Sequence, residues 1–434
     1  MLRLLLSHFL LASCVGVGVG VGGSLSLTGE EVWVIASGEF PFARGPSPPS
    51  RGAIALALRD VLRDAYLVLG RTPVVLAAPP SAGQLPAGTV VVYAGSTSGA
   101  PWLASWPGVA AACLAGVEAH CVLAFNASQS PGGYASIVAT GAGVRGAIYG
   151  AYSFSEHVLG VNPWYRFTDD PPAFAAPLSV DGALNLSFAP PVFAYRGFFV
   201  NDEDLLAALF PGSTLGTASI DSRAYIHVYE TLLRLKANTV IPATNPFPDS
   251  EAYALASARG LVTSHHHYDL VGGNVFAWPL QQQDWDLDKD PGTMAALWRA
   301  SIAAQAGHET IWSVGLRGLN DVAYSCPSPA VCGRQITEAM GNQTMWIREM
   351  QPDAVIITFL WQELLDLLND GLLVIPEGVK VIFTDAGFGF IRTDPSWSRF
   401  CDGVYYHTAM VRFDLGGGGG GLFGEGLLIY MEGG

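Results

Sequence analysis

In the second half of this 434-residue sequence, ionisable and amide residues follow apolar runs with a regularity that invites a chemical reading. Asn201, Asp202, Glu203 and Asp204 follow AYRGFFV, and Ser264, His265, His266 and His267 follow LVT. Arg317, Asn320 and Asp321 follow TIWSVGL, Trp361, Gln362 and Glu363 follow AVIITFL, Asp385 ends VKVIFT, and Tyr405, Tyr406 and His407 lie in GVYYHTA. Two carboxyls can divide the work of protonating a leaving oxygen and activating water, which is what cleavage of a glycosidic bond demands. Arginine forks onto carboxylates. A lone aspartate at the end of a strand is more often solvated or a helix cap, but six such run ends carrying polar groups suit a hydroxyl-rich substrate. The three adjacent histidines raise a metal reading. Neighbours on a strand alternate faces, however, so at most two point one way, and no H-x-H with a carboxylate accompanies them. Donation from His265 or His266 to a sugar hydroxyl or carboxylate fits better, and no metal or other cofactor is expected.

The runs that carry these groups read as strands, with NTVIPAT between the first and second of them. Helical stretches lie between, among them DSRAYIHVYETLLRLKA, PGTMAALWRASIAAQAG and GRQITEAMGNQTMWIREMQ, each with apolar residues three and four apart. Seven strands alternating with helices imply a parallel sheet, and in particular a (β/α)8 TIM-type barrel spanning 192–412, whose active site would lie at the C-terminal strand ends. The eighth strand and its βα unit are missing. Residues 413–434 are glycine-rich and read as a disordered tail or the mark of a truncation. Open edges on the first and seventh strands would then leave the unaltered polypeptide inactive and poorly soluble. Ahead of the barrel, EEVWVIAS, TPVVLAA, TVVVYAG and ASIVATG read as strands and RGAIALALRDVLRDAYLVLG as a helix ending at Gly70, so 29–170 is an α/β domain. Proline clusters mark 171–191 as a linker.

A net charge of −15 excludes nucleic acid and anionic membranes as partners, because both require a basic surface. Residues 1–23 have one early arginine, an apolar run and small residues, the pattern of a secretory signal peptide, and no later stretch is apolar enough to span a bilayer. Sequons at Asn126, Asn185 and Asn342 suit a secreted, glycosylated protein. Beyond the leader, Cys113 with Cys121 and Cys326 with Cys332 suit local disulfides, and Cys401 is left over.

The stretches GAIYGAYSFSEHVLGVNPW (146–164), RGFFVNDED (196–204), VYETLLRLKANTVIPA (228–243), TSHHH (263–267), IWSVGLRGLND (311–321), VIPEGVKVIFTDAGFGFIR (374–392) and GVYYH (403–407) resemble glycoside hydrolase family 115. The resemblance implies a secreted, inverting α-glucuronidase that removes glucuronic or 4-O-methylglucuronic acid from glucuronoxylan, with oligomers possible at full family length. Residue by residue, it implies that Arg317 and one of His265 or His266 hold the uronate carboxylate and that Glu363 is the general acid. Asp321, with Asp202 or Asp204, would position or deprotonate water. Asn201, Asp385, Tyr405 and Tyr406 would contact the sugar. The chain departs from the family pattern at His267, where glutamate is usual, and at Ala386, Gly387 and Phe388. Those departures, with the missing eighth strand, keep a catalytically inactive truncated relative or a sugar-binding protein as the alternative. A hexosaminidase-like hydrolase would need an acidic pair on the fourth strand, where this chain has Arg317 instead.

Overall fold

A computed structural model describes residues 23–35, 49–168, 170–200, 220–242, 250–273, 275, 278, 284–319, 322–385, 401–413 and 421–432. The chain divides into two compact units. The first is drawn from Met1–Val192 with Glu230–Lys236 and Ala258–Gly260, and the second from the remainder.

In the first unit, β1 (Ser24–Leu27) is followed by β2 (Val32–Ile35), α1 (Pro49–Leu69), β3 (Val74–Leu76) and β4 (Val91–Ala94). Then come α2 (Val109–Cys113), β5 (His120–Phe125), β6 (Ser136–Gly141), α3 (Gly143–His157), β7 (Leu178–Asp181) and β8 (Asn185–Phe188). The main sheet has the order β3-β2-β4-β6-β5-β8, parallel through β6 and antiparallel beyond it. Helix α1 stops where the sequence says it should: Gly70 takes a left-handed φ of 76° and its N–H closes on Tyr66 O at 2.9 Å. Glycines let α3 lie close on the sheet, since a Cβ at Gly150 would come within 2.6 Å of the Thr140 carbonyl. Both close cysteine pairs are disulfide-bonded, Cys113 to Cys121 here and Cys326 to Cys332 in the second unit, and Cys401 is exposed and outside any disulfide among the described residues. A buried network also lies within the first unit. Arg259 and the Tyr152 hydroxyl donate to Asp60, Arg234 and Ser155 donate to Asp64, and Arg63, Arg166 and Arg234 surround Glu230. Burial alone would raise the Glu230 carboxyl, but the surrounding guanidinium groups outweigh it and hold it down at about 2.

The second unit begins with β9 (Phe193–Phe199), α4 (Ser222–Arg234, its residues from Glu230 on belonging to the first unit), β10 (Thr239–Ile241), α5 (Glu251–Ala258, its last residue likewise), β11 (Val262–Thr263), α6 (Pro291–Ala304) and β12 (Trp312–Ser313). It continues with α7 (Pro329–Met350), β13 (Ile356–Leu360), α8 (Glu363–Asn369), β14 (Lys380–Thr384), β15 (Gly403–Phe413) and β16 (Gly421–Glu432). Capping fixes the long helices at their starts: Asp290 accepts from Thr293 N before α6, and Ser328 from Val331 N before α7, each with proline in the first turn. The sheet order is β11-β10-β9-β16-β15-β14-β13-β12, and an isolated parallel bridge between Thr263 and Thr310 joins its two ends.

The parallel βα series is incomplete, as the sequence implies, and ends at β15. The eighth place, however, is not empty. Gly421–Glu432 runs antiparallel to β15 on one side and to β9 on the other, with Ile429 opposite Tyr405 and Gly197. The expectation of a structureless tail over 413–434 is corrected for these residues. Two unsatisfied strand edges recruit main-chain partners, and pairing of that kind needs no regular apolar alternation in the recruited segment.

Alternation sorts the barrel strands into two layers. Phe199, Ile241, Val262, Ile311, Ile357, Phe359, Ile382 and Tyr405 form the inner cluster. Trp312, Val314, Ile356 and Val381 belong to the outer one, with Met294, Trp298, Ile336, Met340 and Ile347 from α6 and α7.

Candidate active site

The inner cluster rises towards the C-terminal strand ends, and the described polar groups collect there. Past β11 the chain carries the histidine run. His266 packs on Phe199 of the inner cluster at 4.7 Å between ring centroids, and His267 stands 3.8 Å from His266. His267 also meets Trp361 at 5.7 Å and Tyr405 at 6.1 Å. His265 faces the other way. Its ring lies 5.8 Å from Trp312 of the outer layer, and its Nε2 is 2.5 Å from Gln305 Oε1 at the end of α6. The Gln305 amide donates to Val271 O at 3.0 Å and Ser301 O at 3.1 Å, so its oxygen is the atom that meets His265, and His265 Nε2–H is the donor. Complete burial pushes His265 down to about 4, against the hydrogen bond to Gln305. This is a neutral histidine locked behind the sheet. The sequence expectation that His265 could hold a sugar carboxylate is therefore corrected, and of the two histidines named for that role only His266 faces inward.

Arg317 follows β12 on a backbone held from three directions. Gly315, at φ 149°, is clasped by the Gln343 amide of α7, which accepts from its N–H at 2.8 Å and donates to its carbonyl at 2.9 Å. Trp285 Nε1 donates to Arg317 O at 2.7 Å, and Gly318 N donates to Val322 O at 3.0 Å. The Arg317 side chain is fully buried and reaches Glu363, the first residue of α8, through Nη1 at 2.8 Å from Oε1 and 2.6 Å from Oε2. Glu363 keeps 22% of its side-chain surface exposed. Gln362, just before it, takes φ 47° and ψ −115°, a conformation that side chains other than glycine adopt only at a cost of about 1–3 kcal/mol. The strained residue turns the chain sharply between β13 and α8 and sets Glu363 towards Arg317.

A second acid–base pair stands on the next strands. Asp385, whose side chain is fully buried, donates its N–H to Tyr405 O at 3.1 Å, and its Oδ1 accepts from His407 Nδ1. His407 lies 5.1 Å from Tyr405 and 5.8 Å from Trp361 between ring centroids, which joins this pair to the His267 group. Tyr405 and His407, two residues apart on β15, share the inner face, while Tyr406 points to the other.

The structure therefore brings together Arg317 with Glu363, and His266, Asp385 and Tyr405 with His267, Trp361 and His407. Sequence reasoning placed the last three at the strand ends but gave them no role in the site. For His407 a signal was present, since period-two alternation in GVYYHTA pairs it with Tyr405. Asn201, Asp202, Asp204 and Asp321 lie outside the described residues. Among the described residues no group of three or more His, Cys, Asp or Glu is arranged to hold a metal ion, and no helix is long and apolar enough to cross a membrane.

Comparison with known proteins adds the family. No curated protein sequence matches the chain. Among solved structures, a family GH115 4-O-methyl-α-glucuronidase, BtGH115A, described as specific for decorated arabinogalactans, aligns with TM-score 0.71 and 20% identity over 89% of this chain and 49% of its own. The chain thus spans about half the length of that structure. A GH138 enzyme targeting pectin rhamnogalacturonan II aligns at TM-score 0.40 and 12% identity over 82% of this chain and 38% of its own. A family 89 glycoside hydrolase from Clostridium perfringens aligns at TM-score 0.35 and 11% identity over 65% and 37% respectively. The likeness to BtGH115A is one of fold, an α/β domain followed by a partial barrel. The family model for glycosyl hydrolase family 115 matches residues 189–413, just over half of the chain and all seven βα strands, so the protein belongs to that family.

Proposed function

We propose that the protein is an inverting α-glucuronidase that removes glucuronic or 4-O-methylglucuronic acid side chains from glucuronoxylan. The observation that carries this reading is the buried Arg317 guanidinium paired with the partly exposed Glu363 carboxylate at the strand ends of an acidic chain. A fully buried cation there is a specific site for an anionic sugar, since its planar fork matches a carboxylate and bulk attraction between protein and substrate is absent. Glu363 is the acid that protonates the leaving oxygen. Asp321, with Asp202 or Asp204, activates water on the opposite face of the sugar, and His266, Asn201, Asp385 and Tyr405 are candidate sugar contacts. Inversion requires the two carboxyls to stand about 6.5–9.5 Å apart to admit that water. The leader pattern, the disulfides and the exposed Asn126 and Asn185 sequons support secretion.

The test is incubation of the protein with glucuronoxylan oligosaccharides and, separately, with decorated arabinogalactan, the substrate named for BtGH115A. Release of a uronic acid whose first-formed anomer is β supports the reading. Release from arabinogalactan alone replaces the polysaccharide and keeps the chemistry. Binding of xylan oligosaccharides without release favours the second reading, a sugar-binding relative, which the altered residues 386–388 motivate.

A further inference from the structure

Val271 takes φ 54° and ψ 16° with its side chain buried, in the turn Leu270–Gly272 that follows the histidine run. A β-branched residue in this left-handed conformation is an outlier, and it persists only where its surroundings over-determine it. Here the surroundings are two side chains at the end of α6. Ser301 Oγ donates to Val271 O at 2.7 Å, and Gln305 Nε2 donates to the same oxygen at 3.0 Å. The other end of the buried Gln305 amide accepts from His265 Nε2. His265 Nδ1 is buried and meets no partner, so that bond is the ring's one polar tie among the described residues. A single amide thus joins the first histidine of the run to the strained turn.

Each end of the link bears on the site. Successive residues alternate faces, so anchoring His265 beside Trp312 in the outer layer keeps His266 on the inner side against Phe199. At the other end the turn seats Leu270 on Gly315, where a Cβ would stand 3.1 Å from Leu270 Cδ1. Gly315 lies two residues before Arg317, and Gln343 already clasps its N–H and carbonyl. Leu270 is a second support for the same backbone.

We propose that Gln305 is a positioning residue of the strand-end site: acting through His265 and Val271, its amide fixes His266 and the backbone that leads to Arg317. The inference rests on the reading of these strand ends as the sugar site. Gln305 lies behind the sheet with His265, so what it supplies is geometry. The residue type follows from the two tasks. A carboxylate here would accept from His265 but set a bare oxygen against Val271 O and Ser301 O, and an apolar side chain would do neither.

The experiment compares the whole chain with Gln305→Met, Val271→Gly and the double variant. Calorimetric titration with sodium glucuronate, with glucose as the neutral control, reads binding, and nuclear magnetic resonance of isotope-labelled histidine rings reads the run itself. Gln305→Met should weaken glucuronate binding about tenfold, the loss expected when a buried hydrogen-bonded partner is removed. Glycine adopts the left-handed backbone freely, so Val271→Gly should bind within a few-fold of the parent and restore most of the affinity in the double variant. The sign of that rescue separates positioning from packing. For a residue that only packs, deleting a second buried side chain opens a cavity and deepens the defect. In the ring spectra, the parent's His265, assigned by its absence from His265→Gln, should show a slowly exchanging Nε2–H. In Gln305→Met that proton should exchange faster, and the His266 and His267 signals should move with it.

A folded Gln305→Met that binds glucuronate like the parent overturns the proposal, as does a double variant weaker than Gln305→Met. Failure of the parent to prefer glucuronate over glucose overturns the uronate reading instead. The ring spectra then decide alone: His266 and His267 signals that move in Gln305→Met uphold the positioning role, and unmoved signals overturn it. Where Gln305→Met does not fold, Ser301→Ala takes its place, since it removes one donor from Val271 O and leaves the amide. It should weaken binding a few-fold and be rescued by Val271→Gly, and no rescue would overturn the proposal.

Discussion

A histidine that cannot be protonated without cost leaves a signature in the acid stability of the whole protein. His265 titrates at 6.5 in an open chain but is held at about 4 by burial in the folded one. The unfolded state thus binds the proton first, so the stability that the neutral ring contributes is complete above pH 6.5 and is lost as pH falls from 6.5 towards about 4. The loss amounts to on the order of 3 kcal/mol. His265→Gln keeps a donor for Gln305 and removes the titration, so its denaturation midpoint should fall less steeply over that window than the wild type's. Parallel curves would show that His265 is not the source. The same residue shows what could be read from sequence and what could not. Strand alternation does foresee that the three histidines divide between two faces. Which face is inward depends on where β11 meets its neighbours, and that is a fact of tertiary packing. The Arg317–Glu363 pair was legible only as two strand-end residues 46 positions apart. Its contact depends on the Gln343 clasp on Gly315 and the strained turn at Gln362, neither of which leaves a motif.

At the scale of elements, the strands announced themselves through valine- and isoleucine-rich runs, and α1 through its periodicity and terminal glycine. Strand β9 carries a subtler requirement. Gly197 pairs with Thr239 on one side and Ile429 on the other, and a Cβ at this position would overlap the Thr239 carbonyl. Because that neighbour is backbone, relief requires the strands to part. Gly197→Ala should cost about 3 kcal/mol and lower the denaturation midpoint accordingly. Gly341→Ala is the matched control. Nothing lies within 4 Å of its Cβ position, and it sits inside α7, so alanine there should be neutral or stabilise by up to about 1 kcal/mol. Equal effects of the two substitutions would remove the steric account. Helices α6 and α7 were legible in the same way, through apolar residues three and four apart, and the structure adds the proline first turns and the Asp290 and Ser328 caps that start them.

For the whole molecule the decisive element is β16, the one least visible in the sequence. A segment that pairs by main chain with two edges at once leaves little residue pattern, and the glycines around it argue locally against any element at all. Its contribution is testable at Ile429, which stands opposite both Tyr405 and Gly197. Ile429→Pro removes an N–H from this central position and clashes with regular pairing, a cost of about 3 kcal/mol or more. The expected result is loss of a single cooperative melting transition and a shift to aggregates on gel filtration. An unchanged melting profile would mean that the edges of β9 and β15 manage without β16. The pairing of β9 with β16 also has a consequence in time. A ribosome delivers β9 more than two hundred residues ahead of the strand that covers it, so that edge stays bare through the synthesis of every other barrel strand. Until residues 421–432 emerge, the nascent chain depends on whatever shields an exposed strand in the cell, and a pause or stop late in translation is more hazardous to this protein than an early one.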